Sequence, residues 1–167
     1  MIIRKAIRQD VPYMLTLIKQ AQDYFKRNGI DQWQDGYPNE EQLLGDIHKE
    51  HSYVLCDNNI IGTMYFAIEN DINYAKIDGQ WKTNQQPYAV IHRIVVDENV
   101  KGKGLAKKLL LYAQKECQQH HIHSIRIDTH EDNLSMQAFL KKNGFEFCGH
   151  IQLESGAPRI AFEKIIE

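Results

Sequence analysis

The stretch that decides the fold of this chain reads Ala89-Val-Ile-His-Arg-Ile-Val-Val-Asp-Glu-Asn-Val-Lys-Gly-Lys-Gly-Leu-Ala106. Its beginning is rich in β-branched side chains and predicts a central strand from Ala89 to Val96. Gly102 and Gly104 then permit a tight turn, and apolar residues at helical spacing predict a helix from about Gly104 to Gln118. The stretch therefore predicts a strand, a glycine-rich turn and a helix in direct succession.

The elements on either side of this stretch mix hairpins with crossovers. Helices are predicted after the N-cap candidate Asp10, after Asn39 and from Asn133 to Lys142, and the polar stretch from Asn70 to Gln86 is expected to be a surface loop or lid. This order predicts an α+β fold with a mixed sheet, and it excludes a pure doubly wound sheet. The remaining predicted strands are Ile2–Ala6, Ser52–Cys56, Ile60–Ile68, Ser124–Asp128, Phe145–Ile151 and Arg159–Ile165.

Length and composition restrict the class of protein. With 167 residues, 43% of them apolar and 25% charged, the chain is expected to form a single domain over residues 1–167 rather than a disordered chain. A formal net charge of −2 argues against a general nucleic-acid binder. No apolar run approaches the length of a membrane span, no secretory signal is visible, and the three cysteines form no CxxC pair. We therefore expect a reduced, cytoplasmic protein without a membrane partner.

The glycine-rich turn is a candidate anion site. Its glycines allow successive backbone N–H groups to surround a ligand, and the positive end of the following helix dipole lies at the same place. Four lysines crowd this helix start although the dipole disfavours cations there, and a phosphorylated ligand would relieve that conflict. An ordinary tight turn with solvated lysines is the alternative. The Walker pattern is absent, and GxGxxG fails because Lys107 replaces the third small residue, which weakens a nucleotide-binding interpretation. The lysines are Lys101, Lys103, Lys107 and Lys108.

Two motifs together resemble one protein family. Val96 and the turn Lys101–Ala106 resemble motif A of the GNAT superfamily of N-acetyltransferases, and Asp128-Thr129-His130 with the run from Asn133 to Phe145 resembles its motif B. The resemblance implies a mostly antiparallel GNAT-like sheet with a splayed parallel strand pair that binds acetyl-coenzyme A as cosubstrate. It also implies cofactor-binding roles: backbone pairing with pantetheine by Ile94, Val95 and Val96, a pyrophosphate cradle at Lys101, Gly102, Lys103, Gly104, Leu105 and Ala106, and contacts from Asn133 and Phe139.

His92 is the first candidate for a catalytic base. Acetyl transfer requires the amine to lose a proton before it attacks, and a neutral imidazole is suited to accept one near neutral pH. Strand alternation places Val90, His92, Ile94 and Val96 on one face of the sheet, beside the expected pantetheine track. Alternation places Arg93 on the opposite face, where a structural ion pair is expected. A buried histidine bonded to a carbonyl group is the alternative for His92.

The general acid is the point at which the chain departs from the resemblance. The usual tyrosine of motif B is replaced by Leu140, and Tyr88, Tyr112, Cys148 or water is expected to take its place. Of these groups, Tyr88 is the catalytic candidate. A backbone N–H near Val95 is expected to stabilise the carbonyl oxygen as it gains charge.

The acceptor is expected to be a cationic primary amine on a small molecule or a peptide. Trp33, Asp35 and Tyr37 offer acidic and aromatic groups to such an amine in the loop between the first helices. A surface loop anchored by a buried Trp33 is the alternative. His130 is a further substrate candidate, with a helix-capping role as its alternative. The histidines at 120, 121 and 123 are not expected to bind metal.

The sequence thus predicts an acyltransferase that moves acetyl from acetyl-coenzyme A to a primary amine by direct attack in a ternary complex, with a homodimer as one assembly. A catalytically idle coenzyme A-binding sensor or partner module is the alternative, because Leu140 stands at the tyrosine position.

Overall fold

The four predicted helices and the seven predicted strands occur in the predicted order. A short eighth strand at Asp78–Gly79, which was not predicted, and three short 3-10 turns are present in addition. The computed structural model describes residues 1–167, and a mixed α+β fold with a mostly antiparallel sheet is confirmed. No helix is long and apolar enough to cross a membrane. The helices are α1 (Val11–Arg27), α2 (Glu40–His48), α3 (Leu105–Gln119) and α4 (Leu134–Lys142). The strands are β1 (Ile2–Lys5), β2 (Ser52–Asp57), β3 (Asn59–Ile68), β4 (Asp78–Gly79), β5 (Ala89–Val96), β6 (Ser124–Thr129), β7 (Glu146–Gln152) and β8 (Pro158–Ile165).

The chain divides into two compact units. The first comprises Met1–Phe66 and His92–Ala113, and the second comprises Ala67–Ile91 and Gln114–Glu167. In the first unit the strand order is β1-β2-β3-β5, with β1 and β2 antiparallel to their neighbours. Buried apolar side chains of α1, α2 and β2, together with Ala6 directly after β1, form a core cluster. The N-cap Asn39 of α2 accepts a hydrogen bond from the Gln42 N–H at 2.9 Å. The predicted N-cap Asp10 makes no side-chain capping bond to α1, because its carboxylate accepts from the Ile7 N–H and the Arg4 guanidinium instead.

The second unit has the strand order β5-β6-β8-β7-β4. β5 and β6 form the parallel pair, and their register joins Ala89 to Ile125 and Val90 to Arg126. β6, β8 and β7 pair antiparallel over most of their length, and β4 adds two residues to the edge of β7. One short parallel contact in an otherwise antiparallel arrangement distinguishes this sheet from a doubly wound one.

The expectation that residues 70–86 form a surface loop is wrong for the middle of that stretch. Tyr74 and Trp81 are 2% and 7% exposed, and the Trp81 indole N–H donates to the Tyr74 carbonyl at 3.0 Å. The reason is a buried carboxylate, since Glu163 of β8 accepts the Lys82 N–H at 2.6 Å and the Thr83 hydroxyl at 2.5 Å. A polar stretch is thus drawn into the second unit by hydrogen bonds that a hydropathy pattern does not reveal.

Candidate active site

The middle of β5 carries an unusual backbone conformation at Arg93. Its φ is +51°, in the left-handed region that a side chain other than glycine adopts at a cost of about 1–2 kcal/mol. The guanidinium of Arg93 lies 4.7 Å from the centre of the Tyr65 ring, and the ring centre of His92 lies 5.6 Å from the same ring. Two consecutive side chains of a regular strand would not meet one neighbour in this way. The prediction that Arg93 occupies the face opposite His92 is therefore wrong, because the backbone bends between them.

Arg93 makes the structural ion pair that the sequence predicted. Its Nε atom donates to Oδ2 of Asp46 at 2.9 Å, and its Nη2 atom lies 2.8 Å from the same oxygen; the two side chains are only 9% and 5% exposed. The other carboxylate oxygen of Asp46 accepts the Gln42 amide at 3.0 Å. Nη1 of Arg93 donates to the Tyr37 hydroxyl at 2.5 Å. The bend in β5 is thus tied to helix α2 and to the loop that precedes it.

His92, the candidate base, is half-buried beside this ion pair. Its ring is inclined by 36° to that of Tyr65. The Tyr65 hydroxyl lies 3.0 Å from Nδ1 of His51, which is also half-buried. An imidazole, a phenol and a second imidazole therefore follow one another in the first unit, and each of these groups can donate or accept a hydrogen bond.

The glycine-rich turn has the geometry of a cradle. Gly102 and Gly104 have φ values of +82° and +70°, and no atom lies within 4 Å of a β-carbon placed at either residue. The glycines are therefore required by the backbone conformation and not by crowding. The carbonyl of Gly104 accepts the Lys108 N–H at 3.1 Å, which starts helix α3. The first N–H groups of that helix have no partner within the helix and point toward an anion placed at the turn.

The approach to this turn is held by two side chains. Asp97 accepts the Asn99 N–H at 3.0 Å and the Gln20 amide at 3.3 Å, and Gln20 in turn accepts the Glu98 N–H at 3.0 Å. The hydrogen bond from the Asn99 N–H is the main reason that the pKa of Asp97 lies below its ordinary value. The Lys101 ammonium lies 4.9 Å from the centre of the Tyr24 ring, so this side chain contacts α1.

In the predicted acceptor loop, some side chains make contacts within the protein and others are exposed. Trp33 packs edge-on against buried Phe25 with ring centres 5.6 Å apart, which favours its anchoring role. Asp35 is exposed and accepts the Tyr37 N–H at 3.3 Å. The Tyr37 ring is 37% exposed, and the Arg93 guanidinium lies 5.9 Å from its centre. The exposed carboxylate of Asp35 is the part of this loop best suited to a cationic amine.

The second unit contains the candidate acid, Tyr88. This residue is 8% exposed, its hydroxyl accepts the Asp71 N–H at 2.8 Å, and the Arg126 guanidinium lies 4.0 Å from its ring centre. Cys148 is also buried, and burial raises the pKa of its thiol above the ordinary value. Leu140, at the position where the resemblance calls for tyrosine, is 1% exposed. The structure therefore places a phenol in the second unit, and that phenol already accepts one hydrogen bond.

The end of β6 and the start of α4 hold the motif B candidates. Asn133 is the N-cap of α4, and its side-chain oxygen accepts the Met136 N–H at 3.1 Å. His130 accepts the Asp132 N–H on Nδ1 at 3.0 Å, so it stabilises the turn before the helix, which was the alternative to a substrate role. Phe139 is half-buried on α4. The hydroxyl of Thr129 is buried without a hydrogen-bond partner, which costs about 1–3 kcal/mol unless a ligand supplies one.

Comparison with known proteins decides the family. The model of the Acetyltransferase (GNAT) family matches residues 15–145. The chain belongs to this family. As a GNAT protein it is an acyltransferase, and its fold agrees with that of solved family members. A GNAT acetyltransferase of Streptococcus agalactiae is 32% identical, with a TM-score of 0.89 over 99% of this chain and 95% of that one.

Two further relatives are more distant in sequence. The PaiA N-acetyltransferase of Thermoplasma acidophilum, solved in complex with coenzyme A, is 21% identical with a TM-score of 0.71, and the match covers 98% of each chain. The uncharacterized N-acetyltransferase YesJ of Bacillus subtilis is 20% identical over 147 residues, which are 86% of this chain and 81% of YesJ.

Several residues that hold the candidate site residues in place were not predicted from the sequence. Asp46, Tyr65 and Gln20 are far in sequence from the residues that they hold, and no local pattern identifies them. The turn from Asp97 to Asn99 could have been predicted from the sequence, because an Asp side chain commonly accepts the backbone N–H of the residue two positions later.

Proposed function

We propose that this GNAT protein is an N-acetyltransferase that moves an acetyl group from acetyl-coenzyme A to a primary amine by direct attack in a ternary complex. The observation that carries the proposal is the turn at Gly102 and Gly104, where two left-handed glycines leave open space at a helix N-terminus. Such a turn suits a pyrophosphate, because backbone N–H groups bind it without any acidic side chain to repel it.

The residues that would hold acetyl-coenzyme A belong to three segments. We assign backbone pairing with the pantetheine arm to Ile94, Val95 and Val96, and the pyrophosphate to the turn from Lys101 to Ala106. Asn133 and Phe139 are assigned to the same ligand from α4. The buried, unpartnered hydroxyl of Thr129 supports this assignment, since it lies in the motif B segment and requires a polar partner.

The chemistry is assigned to His92, Val95 and Tyr88. Acetyl-coenzyme A supplies an acyl group activated as a thioester. His92 takes the proton of the ammonium, so that the amine nitrogen bonds to the acyl carbon as the carbon–sulfur bond breaks. The N–H of Val95 donates to the acyl oxygen while it carries charge. Tyr88, or water, gives a proton to the departing sulfur, and the nitrogen, which must lose a second proton to become an amide, returns a proton to that donor.

The acceptor is a cationic amine on a small molecule or a peptide. Asp35 supplies the charge that attracts it, while Trp33, Tyr37 and His130 border its binding site. We further propose that residues 1–167 act as one acetyltransferase domain in the cytoplasm, and that a homodimer is its assembly.

A second function has a specific observation in its favour. Leu140 is buried at the tyrosine position, and the Tyr88 hydroxyl already accepts a hydrogen bond. A coenzyme A-binding module without turnover would share the cradle and lack an efficient acid.

One experiment separates the two functions. The protein is incubated with acetyl-coenzyme A and a panel of amines that includes polyamines, amino-acid amides and peptides, and thiol release is followed. Release that depends on an amine, with the acetylated product identified by mass, supports the transferase. Saturable binding of acetyl-coenzyme A by calorimetry without release from any amine supports the module, and absence of binding refutes both.

A further inference from the structure

Arg93 is a buried cation that the proposed chemistry leaves unused. Its side chain is 9% exposed and contacts three elements other than its own strand: Asp46 of α2, Tyr37 of the loop before α2, and Tyr65 of β3. A desolvated guanidinium is costly unless each such contact is well made. Its contacts here are made by all three nitrogens of the guanidinium group.

The backbone at the same residue is also costly. Arg93 has a φ of +51° in the interior of a strand, and the two residues on its C-terminal side, Ile94 and Val95, carry N–H groups assigned to the reaction. A left-handed residue other than glycine persists only where its surroundings over-determine it. The surroundings that hold Arg93 are its hydrogen bond to Asp46 at 2.9 Å, the ion-pair contact of Nη2 with the same carboxylate oxygen at 2.8 Å, and its hydrogen bond to Tyr37.

The bend also changes the direction of His92. Because alternation is broken at Arg93, the imidazole of His92 and the guanidinium of Arg93 both lie against the Tyr65 ring. A regular strand would send one of them to the other face of the sheet. The placement of the candidate base therefore depends on a backbone conformation that the neighbouring ion pair maintains.

We propose that Arg93 is a positioning residue: its clamp on Asp46 and Tyr37 maintains the left-handed bend of β5 that directs His92 and the N–H groups after it. The inference rests on the proposed function, because it concerns the residues that would carry out the transfer. It differs from a purely stabilising ion pair, which would lower the folded fraction on removal but leave the chemistry of folded molecules unchanged.

A glycine substitution distinguishes a positioning role of Arg93 from a purely stabilising one, because glycine adopts a φ near +51° without a steric cost and alanine does not. In an Asp46→Asn background, which avoids a buried unpaired carboxylate, Arg93→Gly and Arg93→Ala are compared. We expect the glycine variant to keep its kcat within about threefold of the background protein. The alanine variant should lose kcat by about tenfold, equivalent to about 1.4 kcal/mol.

A second ion pair of the same chemistry provides a matched control. Arg4 donates to Asp10 at 2.7 and 2.9 Å in the same unit, and the φ of Arg4 is not positive. In an Asp10→Asn background, Arg4→Gly should show no advantage over Arg4→Ala in kcat. Equal kcat values for the glycine and alanine variants at Arg93 would overturn the proposal, as would an equal glycine advantage at Arg4.

A readout that needs no turnover keeps this inference separate from the proposed function. The ring protons of His92, assigned by their loss in His92→Gln, are shifted by the Tyr65 ring and report the placement of the imidazole by NMR. We expect the Arg93→Gly variant to keep the background shift and the Arg93→Ala variant to change it. If the wild-type protein acetylates no amine, the proposed function fails while this measurement still decides the inference; unchanged shifts in both variants would refute it.

Discussion

Replacement of Gly104 by valine tests the cradle directly. Gly104 has a φ of +70°, and no atom lies within 4 Å of a β-carbon placed there. A β-carbon at this residue therefore meets no clash, and we expect the effect of the substitution to come from the backbone conformation. Valine is β-branched and is a genuine outlier in the left-handed region, so the turn is expected to relax to a negative φ.

The magnitude follows from the conformation. A residue other than glycine in the left-handed region costs about 1–2 kcal/mol, which is a lower bound for valine. If the relaxed turn must return to the original conformation to bind a pyrophosphate, the affinity falls by the same free energy. We therefore expect the Kd for acetyl-coenzyme A to rise by at least about 5–30-fold in Gly104→Val.

The assay is calorimetric titration with acetyl-coenzyme A, together with thermal unfolding of the free protein. Gly156 is the matched control, because it has a φ of +88° and equally open surroundings but lies in the turn between β7 and β8. Gly156→Val should lower Tm by a few degrees, roughly 2–4 °C for each kcal/mol of strain, and leave the Kd unchanged.

The reasoning would be refuted by a Kd within twofold of the wild-type value in Gly104→Val. It would be refuted equally if Gly156→Val weakened binding as much, because the effect would then reflect general strain and not the cradle.

Three further predictions concern other parts of the molecule. His92→Gln should lower kcat/KM by about 100-fold and remove the ascending limb of the pH–rate profile, and an unchanged profile would exclude His92 as the base. Tyr37→Phe removes the hydroxyl that accepts from Arg93 and should raise the KM for the amine severalfold with little change in the Kd for acetyl-coenzyme A; equal changes in both would contradict a role in the acceptor loop. Glu163→Gln should lower the free energy of unfolding by about 3 kcal/mol at pH 7, because it leaves the buried Arg126 without its carboxylate partner. Burial raises the pKa of Glu163, but hydrogen bonds from Ser124, Thr83 and Lys82 and the charge of Arg126 outweigh it and hold that pKa below its ordinary value of 4.5. The contribution is therefore complete above that value and lost as the pH falls below it, so the Tm difference between Glu163→Gln and wild type should disappear in acid; a difference that persisted there would show that the charge is not its source.

Much of the fold was predictable because its signals are local. The strand Ala89–Val96 was predicted with its observed bounds, and the N-cap role of Asn39 follows from hydrogen bonds within one turn of helix. The turn at Gly102 and Gly104 was likewise predictable, since glycine is the residue that adopts a left-handed φ without a steric cost. The family resemblance depended on these local patterns and is confirmed by the family comparison.

The segment 70–86 shows where local signals fail. Its composition is that of a surface loop, but Glu163 supplies acceptors for Lys82 and Thr83 from about 80 positions away in sequence. Hydropathy counts side chains and takes no account of a buried charge that requires donors. The burial of this segment was for that reason invisible in the sequence.

The sequence by itself therefore determined the order of strands and helices, the glycine turn at the start of α3 and the family, since these depend on the conformational preferences of neighbouring residues. Only the tertiary structure decided the direction of the His92 side chain. That direction depends on a left-handed bend at Arg93, and Asp46, which lies 47 positions away in sequence, holds the Arg93 guanidinium. A strand pattern assumes regular alternation, and an ion pair between distant residues is what supplies the free energy to break it.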